Sequence, residues 1–325
     1  MDDKAMIRVK ALCKYYPVTR GIIFRRNVAS LKAVDNVSFY IRKGETLGLV
    51  GESGCGKTTV GRTILQLIRP TSGDVFLDDV NLCQLKNQDL RQMRRRMQIV
   101  FQNPLGSLDP RMPVDRIIQE PLAVHNLLPR IKRSERVAGL LQLVGLESSF
   151  LARYPHELSG GQCQRVAIAR TLAVNPDFVV CDEPVSALDV SIQAQIVNVF
   201  KELQEMLSIA YLFISHDLAV LRHISHRIAV MYLGKIVELA PTEELCQKPL
   251  HPYTQALLDA IPVLNPKEGA YQQAVSLMGD VPSLFSIPAG CSFHPRCPIA
   301  MDMCRRIVPG LKTVDDRRLV RCHNV

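Results

Sequence analysis

Short, almost entirely apolar runs alternate with amphipathic stretches over the first 240 residues. The runs at 47–50, 178–181 and 209–214 have few polar positions, which is typical of strands buried on both faces. The stretches at 60–68 and 192–207 instead carry apolar residues at helical spacing. This alternation of strand and helix predicts an α/β fold with a mainly parallel sheet, whose functional site lies at the C-terminal ends of the strands.

The segments around this core have other patterns. Short β-type runs before residue 45 predict an N-terminal antiparallel β subdomain. The pattern from 114 to about 146 is helical and belongs to a predicted helical insertion at about 105–165. After about residue 250 the pattern weakens, apart from one helix at 254–261. Two domains are therefore predicted, 1–250 for the core and 251–325 for a small C-terminal extension.

Composition places the chain among ordinary globular proteins. Of its 325 residues, 47% are hydrophobic and 22% are charged. No stretch approaches the roughly 18 apolar residues that a membrane-spanning helix needs. The N-terminus, Met-Asp-Asp-Lys, lacks the apolar core of a signal peptide, so we expect the protein to stay on the cytosolic side.

The net charge of +9 raises the question of an anionic partner. Basic residues cluster at Arg91–Arg96, Arg130–Arg136 and Arg317–Arg321, and such clusters suit phosphates, an anionic membrane surface or nucleic acid. The chain has no Trp, and these clusters lack interleaved aromatic residues that would stack on bases. Nucleic acid is therefore not expected as a partner.

A phosphate-binding pattern, G-x-x-x-x-G-K-T, follows the apolar run at 47–50 and precedes a helical pattern. Its glycines let backbone N–H groups converge on phosphate oxygens, and the helix N-terminus adds partial positive charge. A chance glycine-rich turn is the alternative, and the flanking strand and helix argue against it. We expect nucleotide binding by Gly51, Glu52, Ser53, Gly54, Cys55, Gly56, Lys57, Thr58 and Thr59.

Two carboxylates end the apolar strand at 178–181. Asp182 is expected to share a Mg²⁺ ion with the Thr58 hydroxyl, because hard cations prefer oxygen ligands. Glu183 is expected to polarise the attacking water, and Lys57 to reach the β- and γ-phosphates. A helix N-cap or a surface carboxylate is the alternative for the acidic pair.

Other candidates lie further from this loop. Tyr16 precedes it and could stack on an adenine ring or simply be a surface or core tyrosine. His216 ends the next strand and could contact the γ-phosphate. The run at 158–162, LSGGQ, opens an amphipathic helix whose N-terminus suits an anion. In it Ser159 is expected to cap the helix, and Gly160 and Gly161 to allow close approach of another surface.

These blocks occur in one order, GESGCGKT, Gln102, LSGGQ, FVVCDE, SALD and His216, and together resemble the ATP-binding cassette ATPases of transporters. The resemblance implies a P-loop (RecA-like) core over about residues 5–250. It also implies that Gln102 senses Mg²⁺ and water, and that His216 contacts the γ-phosphate. Two cassettes are implied to sandwich two ATP molecules, each capped across the interface by Ser159, Gly160, Gly161 and Gln162, with Asp189 crossing the same interface.

Several longer sequence segments are similar to those of the oligopeptide/dipeptide permease ATPases, notably FQNPLGSLDPR at 101–111, HPYTQALL at 251–258 and GCSFHPRCP at 290–298. FQNP looks like the second, F-type, of the two ATPase subunits. The resemblance implies a peripheral place on the cytoplasmic side of the inner membrane. The implied partners are two membrane-spanning permease subunits, a second ATPase subunit and an extracytoplasmic solute-binding protein. An importer for nickel or another small solute, and a soluble cassette ATPase of translation or repair, are the alternatives.

Four of the ten cysteines fall in the last 35 residues, with the spacing C-x5-C-x6-C-x17-C. Four thiolates suit a [4Fe–4S] cluster or a tetrahedral Zn²⁺, and a metal would stabilise a segment that has few large apolar residues. Reduced, unliganded thiols are the third alternative. The resemblance favours the cluster over zinc, held by Cys291, Cys297, Cys304 and Cys322, with His294 and His323 as substitute zinc ligands.

Overall fold

The computed structural model describes residues 5–20, 26–260 and 282–325. In chain order the strands are β1 (Ala5–Arg20), β2 (Arg26–Arg42), β3 (Thr46–Val50), β4 (Ser72–Leu77), β5 (Val80–Asn81), β6 (Met97–Val100), β7 (Phe178–Asp182), β8 (Ala210–Ser215), β9 (Arg227–Tyr232), β10 (Lys235–Pro241), β11 (Lys312–Asp315) and β12 (Arg318–Val320). The helices are α1 (Lys57–Ile64), α2 (Asn87–Arg96), α3 (Pro104–Ser107), α4 (Val114–Val124), α5 (Arg130–Leu143), α6 (Gly160–Leu172), α7 (Val190–Leu207), α8 (Leu218–Ile224), α9 (Thr242–Gln247) and α10 (Pro252–Asp259).

A central eight-stranded sheet has the order β11-β12-β10-β9-β3-β8-β7-β6. The pairs from β9 through β3, β8 and β7 to β6 are all parallel. Strands β10, β12 and β11 extend this sheet in antiparallel fashion. The predicted α/β fold is confirmed, and the parallel strands converge at one edge, as βα units require.

A second sheet, of order β2-β1-β4-β5, is antiparallel throughout. Its inner face shares an apolar cluster with α1 and one face of the central sheet, to which Leu12, Val60 and Leu49 contribute. The other face of the central sheet packs on a larger cluster that includes α4, α5, α6 and α7. The central sheet is therefore covered on both sides, which explains its nearly continuous apolar strands.

The helical pattern from 114 to about 146 forms two helices, α4 and α5. Asn126 adopts a left-handed backbone with φ +52°, and Pro129 precedes the first residue of α5. Both residues break a continuous helix, because proline disfavours helical geometry in the residue before it and asparagine tolerates positive φ.

The C-terminal extension packs on the rest of the chain, which the weak sequence pattern did not indicate. Strand β12 pairs with β10 in the central sheet. Phe293 is 1% exposed, and its ring centroid lies 5.3 Å from that of Tyr232 and 5.5 Å from that of Tyr253. The extension is thus stabilised by apolar packing against residues that precede it in the chain. The domain boundary near residue 250 stays a prediction.

The buried side chain of His251 predicts that the stability of the protein depends on pH. It is 2% exposed, and its Nδ1 accepts a hydrogen bond from the Tyr253 N–H at the start of α10. Burial lowers the pKa of His251 to about 4, against about 6.5 in an unfolded chain. The unfolded chain therefore binds more protons between these values, and the free energy of unfolding should fall as pH decreases from 6.5, by about 3 kcal/mol near pH 4.

Denaturant unfolding at several pH values tests this expectation. His251→Asn keeps a side-chain acceptor for the helix N-terminus and removes the titration, so its loss of stability across this pH range should be shallower. The variant does not alter Glu238, the nearby carboxylate that accepts a hydrogen bond from the backbone N–H of His251. An identical pH slope in the parent and the variant would contradict the role given to His251.

Among the described residues, no helix has both the length and the apolar character needed to cross a bilayer.

Candidate active site

The phosphate loop connects β3 to α1 at the edge where the parallel strands end. Gly56 immediately precedes α1 and has a left-handed backbone with φ +109°. A Cβ atom at this position would lie 2.0 Å from the Ala33 carbonyl oxygen. Only glycine fits here, which explains the second glycine of the sequence pattern.

A cavity of about 630 Å³ opens over this loop. It brings together ten of the residues predicted from sequence, from the N-terminal strand, the loop and three later segments. Its wall is formed by Tyr16, Leu31, Ala33, Ser53, Gly54, Gly56, Lys57, Thr58, Thr59, Gln102, Glu183, His216 and Leu284, of which Leu31, Ala33 and Leu284 were not predicted and Gly54 and Gly56 are loop backbone.

Lys57 is held across the loop. Its side chain is nearly buried, and Nζ donates hydrogen bonds to the carbonyl oxygens of Gly51, at 2.6 Å, and Glu52, at 3.1 Å. These contacts place the ammonium group at the cavity wall with its charge available to an anion. Lys57 can therefore bind phosphate oxygens with a charge-assisted hydrogen bond.

Thr58 and Asp182 form the candidate cation site. The Thr58 hydroxyl donates to Asp182 Oδ1 at 2.7 Å, and Arg62 lies 4.0 Å from Oδ2. Asp182 is 3% exposed, and burial raises the pKa of its carboxyl group, although Thr58 and Arg62 oppose that shift. A hydroxyl and a carboxylate joined in this way fit a hard cation such as Mg²⁺, which would supply electrostatic stabilisation of the phosphates.

The carboxylate of Glu183 contacts two other polar side chains of the cavity wall. Its Oε2 accepts a hydrogen bond from Gln102 Nε2 at 2.9 Å and lies 3.2 Å from His216 Nδ1. The backbone of Glu183 is left-handed, with φ +49°, and its N–H donates to the Ile214 carbonyl. A strained backbone that is fixed by neighbours at a polar site is typical of a functional residue. This carboxylate can hold and polarise a water molecule.

Part of the cavity wall is apolar. Tyr16, Leu31 and Ala33 come from the antiparallel sheet, and Leu284 comes from the C-terminal extension. Lys14 Nζ lies 5.1 Å from the centroid of the Tyr16 ring, on one face of it. This surface can accept a flat aromatic group, and stacking on Tyr16 stays a prediction. No sequence signal pointed to Leu284, because it follows a long segment without a recognisable pattern.

The LSGGQ residues lie on a different surface. Ser159 Oγ accepts the Gln162 N–H at 3.3 Å, and Gln162 Oε1 accepts the Ser159 N–H at 2.9 Å, which together cap α6. Ser159, Gly161 and Gln162 line a separate cavity of about 410 Å³. Within the described part of the chain, neither these residues nor Asp189 belongs to the wall of the cavity over the phosphate loop.

Two residues of the phosphate loop point away from the cavity. Cys55 is buried under the loop, and burial raises the pKa of its thiol. The carboxylate of Glu52 accepts two hydrogen bonds from the guanidinium of Arg296, at 2.8 and 3.0 Å. The sequence predicted both residues as part of a loop whose backbone N–H groups bind phosphate, and that role stays a prediction. The sequence missed Arg296 because that residue is 244 positions further along than Glu52.

The predicted metal centre of the extension is not supported. Over 5–20, 26–260 and 282–325, no group of three or more Cys, His, Asp or Glu side chains is placed to hold a metal ion. Burial raises the pKa of the Cys291 and Cys297 thiols, and neighbouring cysteines raise it further. The packing of Phe293 supplies apolar stabilisation to this segment.

Family profiles match two parts of the chain. The profile described as "ABC transporter" matches residues 34–186, which include the phosphate loop and Glu183. The profile described as "Oligopeptide/dipeptide transporter, C-terminal region" matches residues 237–304, which run from β10 into the extension.

Curated relatives match along almost the whole chain. "Oligopeptide transport ATP-binding protein AppF" of Bacillus subtilis is 48% identical over 99% of this chain and 98% of its own. "Probable peptide ABC transporter ATP-binding protein y4tS" of Sinorhizobium fredii is 50% identical over 99% of this chain and 90% of its own.

A solved structure agrees with this placement. The ATP-binding cassette MJ0796, in a dimeric post-hydrolysis state bound to ADP and Pi, has a TM-score of 0.65 and 30% identity, covering 73% of this chain and 99% of that one. The sequence motifs, the parallel sheet and the cavity over the phosphate loop agree with these matches. The chain belongs to the ATP-binding cassette transporter family and carries the C-terminal region of its oligopeptide/dipeptide branch.

Proposed function

We propose that this protein is the ATP-hydrolysing subunit of an importer for oligopeptides or dipeptides. The observation that carries the proposal is the placement of Glu183, between Gln102 and His216, in the cavity that also exposes Lys57 and Thr58. Relatives named as peptide transport ATP-binding proteins support the peptide as cargo.

In this proposal the two ends of ATP bind to different parts of the cavity wall. The triphosphate lies on the phosphate loop, where backbone N–H groups and the Lys57 ammonium bind its oxygens. The adenine lies against Tyr16 in the apolar part of the wall. Mg²⁺, held by Thr58 and Asp182 with Gln102 nearby, would offset the negative charge of the phosphates.

Hydrolysis then requires one water molecule in line with the γ-phosphate. Glu183 accepts a hydrogen bond from that water and increases its nucleophilicity. His216 contacts the γ-phosphate and, from 3.2 Å, helps to orient the Glu183 carboxylate. Products are ADP and inorganic phosphate.

The separate position of the LSGGQ residues supports a dimer of cassettes as the active form. Ser159, Gly161 and Gln162 lie at an exposed helix N-terminus that lines no part of the cavity over the phosphate loop. They can serve an ATP molecule only from a facing cassette, with Asp189 at the same interface. The facing subunit is a second, different ATPase, as the two-ATPase importers of this branch use.

Peptide import also requires membrane partners. Leu105 is 53% exposed and lies in α3, directly after Gln102 and its turn. An exposed apolar side chain beside a residue of the active site suits a contact that transmits hydrolysis to a partner. We propose two permease subunits as that partner, a peripheral position on the cytoplasmic face of the inner membrane, and an extracytoplasmic solute-binding protein.

Reconstitution tests this function. In vesicles with both permease subunits and the second ATPase, peptide-loaded binding protein should stimulate ATP hydrolysis, and nickel-loaded protein should not. Leu105→Arg should weaken recovery of the permease subunits by about tenfold, because it buries a charge in the contact. Met206→Arg, an equally exposed change on α7, should leave recovery unaltered.

Stimulation of ATP hydrolysis by nickel-loaded binding protein alone would show that nickel, and not a peptide, is the cargo. A stable, fully active homodimer that recovers no membrane subunits would contradict the importer function.

A further inference from the structure

A residue of the C-terminal extension reaches the phosphate loop from behind. Arg296 is 7% exposed, and its Nη1 and Nη2 donate to the two carboxylate oxygens of Glu52 at 2.8 and 3.0 Å. This is a bidentate pair, the geometry in which arginine binds a carboxylate most strongly. The hydrogen bonds to Glu52 raise the pKa of Arg296, so the guanidinium stays charged in the pair.

A second contact fixes the backbone of the same loop residue. The Glu52 N–H donates to the hydroxyl oxygen of Tyr253 at 2.9 Å. Tyr253 is fully buried in α10, and its ring packs on Phe293, three residues before Arg296. The main chain and the side chain of Glu52 are therefore both held by residues that follow position 250.

The charge of Glu52 makes this contact relevant to phosphate binding. A carboxylate inside a phosphate loop repels a triphosphate, and the repulsion is strong where protein excludes water. In the structure Glu52 does not line the cavity over the phosphate loop. It lines a second cavity of about 330 Å³, whose wall also includes Ser53 and Leu284. Arg296 neutralises it there.

We infer that Arg296 is a positioning residue for ATP, through which the C-terminal extension sets the conformation and the charge of the phosphate loop. Arg296 touches no phosphate itself. It acts by holding Glu52 away from the triphosphate, so that the loop presents its N–H groups and Lys57 without a competing negative charge. The inference rests on ATP binding in the cavity, as proposed above.

A purely structural pair would fasten the extension without affecting the loop, and the chain offers a matched example. Arg318, also in the extension and also nearly buried, lies 3.5 Å from the buried carboxylate of Glu238. Glu238 accepts the N–H groups of Leu250 and His251 and is not in the phosphate loop. Loss of Arg318 should therefore loosen the extension alone.

Calorimetric titration with a non-hydrolysable ATP analogue and Mg²⁺, on the full chain, tests the inference. Arg296→Met keeps the apolar volume, leaves the Glu52 charge uncompensated, and should raise the Kd on the order of tenfold. Arg296→Lys retains a positive charge and should stay within about threefold of the parent.

The double variant Glu52→Gln/Arg296→Met removes both charges and should return the Kd to within about threefold of the parent. Arg318→Met should lower the unfolding temperature with a change in Kd below about twofold. This combination separates charge in the loop from stability of the extension, since a structural defect would not be rescued by Glu52→Gln.

Equal affinity of the parent and Arg296→Met would overturn the inference while leaving the proposed function intact. Equal weakening by Arg296→Met and Arg318→Met, or no rescue in the double variant, would overturn it as well. A parent that binds no analogue would overturn the proposed function and this inference together.

Discussion

Replacement of Glu183 by glutamine is expected to reduce ATP turnover by at least about 100-fold and to leave ATP binding intact. The amide has the size of the carboxylate and can still accept the hydrogen bond from Gln102, so the shape of the cavity is preserved. It is a much weaker base, and water next to the γ-phosphate is no longer activated. ATP should then accumulate uncleaved and hold two cassettes together.

Three measurements on one preparation test this expectation. Phosphate release gives turnover, calorimetry gives affinity, and gel filtration with ATP gives the dimer. Glu205→Gln is the matched control, because Glu205 is an exposed residue of α7 that lines a different groove. Turnover like that of the parent in Glu183→Gln would exclude Glu183 as the water-activating group.

Residues close in sequence to a backbone turn or strand end were predictable. The phosphate loop needs its glycines because of local geometry, as the left-handed Gly56 next to Ala33 shows. Asp182 and Glu183 were predictable because a fully apolar strand delivers whatever follows it to one edge of the sheet. The periodicity of side chains along the chain contains this information.

Contacts between distant segments were not predictable in this way. Arg296 lies in a short segment with no clear periodicity, and nothing in its neighbours indicates that it meets Glu52. Leu284 likewise reaches the cavity over the phosphate loop only because strand β12 and Phe293 fix the extension on the central sheet. The same docking supplies apolar packing that the cysteine spacing could not indicate, whereas the metal suggested for those cysteines is not supported by the described residues.

The strain at Glu183 is a further example of what tertiary structure adds. Its left-handed backbone is held by the hydrogen bond of its N–H to Ile214 and by Ser186 Oγ, which donates to its carbonyl. A non-glycine residue in this region costs about 1 kcal/mol or more, and the neighbouring strand β8 supplies the contacts that maintain it. The sequence predicts the position of the carboxylate in the chain, whereas only the fold shows which contacts set its orientation.

Replacement of Lys57 by alanine should weaken ATP binding itself by at least about 100-fold, because it removes the one buried charge that faces the phosphates from the loop. The structure adds a second reason. Lys57 Nζ bridges the carbonyl oxygens of Gly51 and Glu52, so its loss also leaves the first turn of the loop without a cross-link.

Lys57→Met keeps the apolar stem and removes the ammonium group, so it separates both functions of that group from the packing of the stem. We expect it to fold with an unfolding temperature close to that of the parent and to bind the non-hydrolysable analogue as weakly as Lys57→Ala. Lys201→Ala, an exposed change on α7, should bind like the parent. Since Glu183→Gln retains affinity and loses turnover, the two variants should fail at different steps. Parent-like affinity in Lys57→Met would show that neither the charge nor the cross-link of Lys57 is needed for phosphate binding.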